Sequence, residues 1–229
     1  GLRVLDLLNI NQKNIVEIVF FNRNSKFLKL IFYSTIIRVL ICIIIICKLS
    51  SLKLSLIFLI SLLTILYVFP LKPINKNLRK RPGLKIFIVS IVWSLLIVIL
   101  PTIDFYDKFN SDLLIYFIQV FIYVFVAILP FDIRDINYDS KKLYTIPQIL
   151  GLNYTKILGF VLIFIFILLD YIQYLILDSV SLNSILINNI ICLVIFSLLY
   201  KSNENQSKYF SSFWVESLPI FWLLLNFVL

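Results

Sequence analysis

Apolar residues fall along this chain in long unbroken blocks, with little of the alternation that marks a half-buried strand. About seven blocks, near 30–48, 53–70, 85–101, 113–130, 156–176, 185–200 and 213–229, approach the roughly 20 residues a helix needs to cross hydrocarbon. A backbone inside lipid must satisfy its own polar groups, which leaves helices or closed barrels, and barrel strands would alternate where these blocks are continuous. The pattern therefore predicts an all-α fold, a polytopic transmembrane helical bundle whose first partner is the lipid bilayer. Pro70, Pro101 and Pro130 each stand at the carboxyl end of a block. A helix can stop or kink there while losing few hydrogen bonds. No long linker or internal repeat interrupts the blocks, so residues 1–229 are expected to form one integral-membrane domain.

Composition sharpens this reading. With 61% hydrophobic and 14% charged residues, an ordinary soluble domain is excluded. The net charge of +9 could suit nucleic acid, but the basic residues collect in alternate loops, which argues against a nucleic-acid partner. The loop "LKPINKNLRKRPGLK" has Lys72, Lys76, Arg79, Lys80, Arg81 and Lys85 and no acidic residue, whereas "PTIDFYDKFNSD" sets Asp104, Asp107 and Asp112 against Lys108. The positive-inside rule puts the first loop in the cytoplasm, and alternation then makes 1–29, 131–155 and 200–212 cytoplasmic as well. The expected location is the inner (cytoplasmic) membrane of a bacterium. The chain opens on Gly1 and contains no Met; an amino-terminal truncation is expected. Segment 1–29 interleaves apolar and charged residues, as the end of a span followed by an interfacial helix would. Cys42, Cys47 and Cys192 lie inside blocks and read as small apolar fillers, and the lack of His removes imidazole bases and ligands.

Candidate chemistry concentrates in "FDIRDINYDSKKLYTIPQILG", directly after the block at 113–130. On a helix, Asp132, Asp135 and Asp139 at i, i+3 and i+7 share one face and repel one another. A divalent cation is the cheapest partner for them, and Mg²⁺ is commonly shared between carboxylates and a substrate phosphate. Arg134, Lys141 and Lys142 supply further positive charge. The competing reading is a solvated loop whose charges merely balance.

This stretch resembles the second aspartate-rich motif of the UbiA superfamily of intramembrane prenyltransferases: Asp132, Asp135 and Asp139, then Thr145, Ile146, Pro147 and Gly151. The upstream run "LYVFPLKPINKNLRKRPGLKIFIVSIVWSLLIVILP" is similar to that family's fourth span leading through a basic loop into the fifth. The resemblance covers most of residues 55–155 and implies nine spans, of which the seven here would be the third to the ninth. It implies transfer of an isoprenyl group from an isoprenyl diphosphate to a lipophilic, possibly aromatic, acceptor, with magnesium held by Asp132, Asp135 and Asp139. Arg134, Lys141, Lys142, Tyr67 and Lys72 would serve the diphosphate, although "YVFPLK" has one residue more than the family's Tyr-x-x-x-Lys element. The family's first aspartate motif would fall on "VLDLLNINQKN", where Asp6, Asn9 and Lys13 occupy the carboxylate spacing and Asp6 alone is acidic. Weaker binding, Lys13 in place of a metal ion, and lost catalysis are the three consequences open to such a site.

Other classes stay in view. A non-catalytic relative that binds a prenyl lipid or acts as a scaffold would suit the eroded first motif. CDP-alcohol phosphotransferases cluster aspartates too, but their D-G and A-R pairs are missing from "DIRDINYDSKK". A transporter would carry paired ionisable groups deep in its spans, for which Arg38, Asp170 and Glu216 are the candidates. Asp170 could line a reaction chamber or pair with a polar neighbour.

Overall fold

The computed structural model describes residues 32–41, 44, 48–68, 83–105, 111–137, 144–207 and 209–228, and the described residues contain no strand. The chain divides into two compact units, Gly1–Ser51 and Leu52–Leu229. The first contributes a short apolar helix, α1 (Phe32–Ile41). From there follow α2 (Ser51–Val68), α3 (Leu84–Ser94), α4 (Ser111–Arg134), a single turn α5 (Ile146–Leu150), α6 (Leu152–Leu175), α7 (Leu182–Lys201) and α8 (Leu218–Val228).

Among the described residues, six segments are long and apolar enough to cross a membrane: Ser51–Val68, Leu84–Thr102, Ser111–Asn137, Leu152–Leu175, Leu182–Lys201 and Phe210–Val228. They match six of the seven expected blocks. The block at 30–48 is represented by α1 alone, because residues 42, 43 and 45–47 lie outside the described residues. Two of the six reach full length through π-helical insertions, Leu95–Ile99 after α3 and Phe210–Val215 before α8. Such insertions widen the helix locally and occur often beside functional sites.

The distribution of polarity is the reverse of a soluble protein's. Phe58, Phe164 and Leu193 are more than half exposed, while Ser90, Ser94, Gln119, Asp132, Asp170 and Gln173 are buried. Many large apolar side chains thus face outward, where lipid would lie, and several polar ones are turned inward. Buried hydroxyls are met within their own helices: Ser90 donates to the Ile86 carbonyl at 2.8 Å and Ser94 to that of Ser90 at 2.7 Å. α4 is the central helix, with 44% of its span buried against 11% for α2. One core joins α4, α6 and α7 through Phe125, Leu129, Ile163, Ile195 and Leu199. A smaller one joins α2 to the α3 segment and α4 through Ile60, Val98 and Val120.

At Pro130, where the helix could stop or kink, it does not stop: α4 runs through to Arg134 and then tightens into a 3₁₀ turn, Asp135–Asn137. A proline one turn before the end removes few hydrogen bonds, and its own carbonyl accepts a 2.6 Å bond from Gln206 Nε2. Asp132 and Arg134 therefore sit on regular helix, and Asp135 begins the tighter turn.

With no hydrophobic drive between helices in lipid, close backbone approach holds a bundle together. Gly159 on α6 supplies it: a Cβ there would run into the Leu199 side chain of α7 and lie 3.1 Å from Leu129 of α4. Gly159→Val should therefore destabilise the protein by about 1–3 kcal/mol through overpacking. Leu199→Ala should cost a similar or larger amount through the cavity it leaves. Thermal unfolding in detergent should show the double variant to be less destabilised than the two single changes added together; strict additivity would mean that the two side chains do not compete for this space.

Candidate functional site

The charged rim is built where the ends of α3 and α4 meet. Gly83, in the left-handed conformation at φ 67°, starts α3 and donates its N–H to the Tyr144 carbonyl at 3.0 Å, which ties that start to the segment following the aspartates. Lys85 then lies in the first turn of α3, and its Nζ is 2.7 Å from Asp132 Oδ1. The Asp132 side chain is 2% exposed and that of Lys85 28%, so the carboxylate is buried and the ammonium reaches toward the edge. Two residues on, Arg134 grips Asp135 through Nε to Oδ1 at 2.7 Å and Nη2 to Oδ2 at 3.0 Å. Its Nη1 donates to Ser211 Oγ at 2.8 Å, on the π-helical turn ahead of α8. The guanidinium also lies 5.4 Å from the centre of the Phe131 ring. Beyond the rim, the Thr145 N–H donates to Gln148 Oε1 at 3.1 Å, Pro147 occupies the first turn of α5, and Gly151 takes a positive φ between α5 and α6.

Below the rim a chamber of about 1070 Å³ opens among α3, α4, α6, α7 and α8. Its volume is at the upper end of what small-molecule sites occupy. Phe131 lines one end, and Ser179, Ser181 and Ser184, around the turn from α6 to α7, line the other. Aromatic groups dominate part of its wall: Tyr123 and Trp222 meet in a tilted contact with centroids 4.9 Å apart, and the Phe166 ring centre lies 6.5 Å from that of Trp222. Asp170 also lines the chamber and is 1% exposed. Its Oδ1 accepts from Gln119 Nε2 at 2.7 Å and from Asn188 Nδ2 at 3.0 Å. Asp170 therefore pairs with polar neighbours, as one of its two sequence readings expected, and it does so on the wall of this cavity. Its Oδ2 and the Tyr123 hydroxyl are buried and have no hydrogen-bond partner among the described residues.

Of the residues singled out from sequence, Asp132, Arg134, Asp135 and Tyr67 are described, Tyr67 being half-buried near the end of α2. Asp139, Lys141, Lys142, Lys72, Asp6, Asn9 and Lys13 lie outside the described residues. Arg134 joins Asp135 as a charge partner, but Asp132 and Asp135 turn to different cations. Among the described residues no three carboxylate or thiol groups converge as a metal site. Lys85 thus meets Asp132 Oδ1, and Arg134 meets both oxygens of Asp135. Lys85 was legible only as one charge in a basic loop, and Gln119, Asn188 and Tyr123 only as residues inside apolar blocks. The one advance signal for the second group was an ionisable Asp170 within a span. A scan against protein-family models and searches of curated proteins and of solved structures each found no match.

Proposed function

We propose that this protein binds an isoprenyl diphosphate at the cytoplasmic rim of its chamber and transfers the prenyl group to a lipophilic acceptor. The observation that carries the reading is the junction at Phe131: its ring lines the chamber and lies under the Arg134 guanidinium, so an apolar tail and an anionic head would meet side by side. The likeness of "DIRDINYDSKKLYTIPQILG" to the second motif of the UbiA superfamily supports the same chemistry. In the transfer, the allylic C–O bond breaks, the diphosphate leaves with the electron pair, the acceptor's nucleophilic atom bonds to the cationic carbon, and the proton that the acceptor gives up is taken by the departing diphosphate. The chain's own contributions are three. The chamber keeps water from the cation, the faces of Tyr123, Phe166 and Trp222 stabilise positive charge, and Arg134 and Lys85 draw the departing anion.

A second reading, binding without turnover, is favoured by the ion pairs, since an incoming diphosphate must compete with Asp132 and Asp135 for Lys85 and Arg134. Diphosphate release by the full-length protein in lipid, offered isoprenyl donors of several chain lengths and a mixture of lipophilic phenols and quinols, separates the two. Release that falls about a hundredfold or more in Arg134→Ala supports transfer; donor retention without release from any donor reduces the protein to a carrier.

The ion pairs also set an expectation for the metal. Asp132→Asn removes the carboxylate charge that Lys85 meets at 2.7 Å, which should lower stability by about 2 kcal/mol while raising retention of a prenyl diphosphate measured in EDTA. Lys85→Gln added to it should return retention to the parental value. Parental retention that vanishes in EDTA, and is abolished by Asp132→Asn in magnesium, would instead make Asp132 a metal ligand.

A further inference from the structure

The span Phe210–Val228 is not one continuous helix. Its π-helical part, Phe210–Val215, gives way to a turn at Glu216 and Ser217 before α8 begins at Leu218, and Pro219 withholds a backbone N–H from the first turn of α8. Ser217 Oγ donates to the Trp214 carbonyl at 2.9 Å, beside the break. Irregular backbone is tolerated at membrane depth only where protein buries it or a cavity adjoins it, and π-helical insertions gather beside functional sites. This break adjoins the chamber, which Val215, Glu216 and Pro219 all line.

Glu216 is the chemistry that the break presents. An ionisable side chain within a span is costly, and such groups mark functional sites. Among the described residues the Glu216 carboxylate makes no hydrogen bond and has no cation within ion-pair distance, and the residue is exposed where it lines the chamber. Register places it near the rim. Bonds of a π-helix run between i and i+5, so Glu216 stands one turn beyond Ser211 on the same side, and Ser211 receives Arg134 Nη1 at 2.8 Å. The rise between the two residues is no more than about 8 Å at 1.5 Å per residue. Glu216 therefore feels the Arg134 guanidinium through charge without touching it.

With a diphosphate at Arg134 and the allylic carbon next to it, an acceptor must lie within a few ångströms of this carboxylate. A carboxylate accepts hydrogen bonds and donates none, and bonds made to it are stronger than those between neutral groups. A protonated amine would be repelled by Arg134 and has no lone pair with which to attack, which leaves an O–H as the matching group.

We propose that Glu216 is the acceptor-binding residue, taking a hydrogen bond from the O–H of a lipophilic phenol or quinol and turning its electron-rich ring toward the allylic carbon. The inference rests on the prenyl-transfer reading of the rim and adds the class of acceptor to it. The hydrogen bond pushes electron density into the ring while the O–H stays intact. A ring carbon bonds to the allylic carbon, the C–O electron pair leaves with the diphosphate, and the proton of that ring carbon goes to the diphosphate.

The full-length protein in lipid nanodiscs is loaded with isoprenyl thiolodiphosphates of several lengths, whose C–S bond resists cleavage. It is then titrated with tritiated 1-naphthol and 1-methoxynaphthalene, with empty nanodiscs correcting for partition into lipid. Naphthol should bind about tenfold more tightly than its methyl ether, and Glu216→Gln, which keeps an acceptor oxygen and loses the charge, should bring the two within about threefold. The variant should hold the donor analogue at least as well as the parent. A 1-naphthol carrying a diazirine, photolysed on the parental protein, should mark the peptide bearing Glu216 and be displaced by 1-naphthol. Where a donor analogue is held, naphthol bound no better than the ether, a preference unchanged in Glu216→Gln, or photoadducts confined to other peptides overturns the inference and leaves prenyl transfer standing. If the variant loses the donor analogue, the parental preference and the photoadduct decide. A parental protein that holds no donor analogue overturns prenyl transfer, and the acceptor site with it.

Discussion

Hydrocarbon offers no water to a buried polar group, and the fold follows from that constraint. Every serine, amide and carboxylate turned inward must find its partner within the protein. Ser90 and Ser94 find theirs one helical turn back; Lys156 finds the Tyr200 carbonyl at 2.7 Å, near the end of α7. Asp132 and Asp170 cannot be met locally, so each draws another helix to itself. Lys85 brings α3 to the end of α4, while Gln119 and Asn188 bring α4 and α7 to α6. Two carboxylates thus act as polar clasps at opposite ends of the central helix, and the chamber lies between them.

The two clasps differ in what they leave undone. At the rim, Asp135 is met by a two-pronged guanidinium, which makes that end a balanced cluster of charge beside an aromatic ring. At the far end Asp170 has one oxygen met by two amides and the other buried with no partner among the described residues. The rim is thus held by charge paired with charge, and the far end by neutral amides on a buried carboxylate.

How much of this the sequence reveals depends on the range of each interaction. Membrane spans are local properties, readable from the length of an apolar block, and six of the seven expected blocks are long helices. Helix ends are less so: Pro130 reads as a terminator, yet it sits one turn early and the helix passes through it. The site was legible as a charged segment and illegible as a geometry. Asp132 takes its cation from 47 residues away and Asp170 its amide from 51 away, separations no local pattern encodes. The i, i+3, i+7 spacing suggested one shared face, but the change to a 3₁₀ turn at Asp135 and the two nearby cations direct Asp132 and Asp135 to separate partners. The π-helical insertions, which give the spans at 84–102 and 210–228 their length, have no signature in the apolar pattern at all.

The proposed transfer requires that an isoprenoid chain lie in the chamber with its head at the Phe131 rim. A prenyl diphosphate carrying a diazirine at the tail terminus, photolysed on the full-length protein in lipid and mapped by mass spectrometry, tests it most directly. The account predicts adducts on chamber residues such as Tyr123, Phe166 and Trp222, lost on competition with unlabelled donor. Adducts confined to the outward-facing side chains Phe164, Tyr171 and Leu193, and indifferent to competitor, would contradict it.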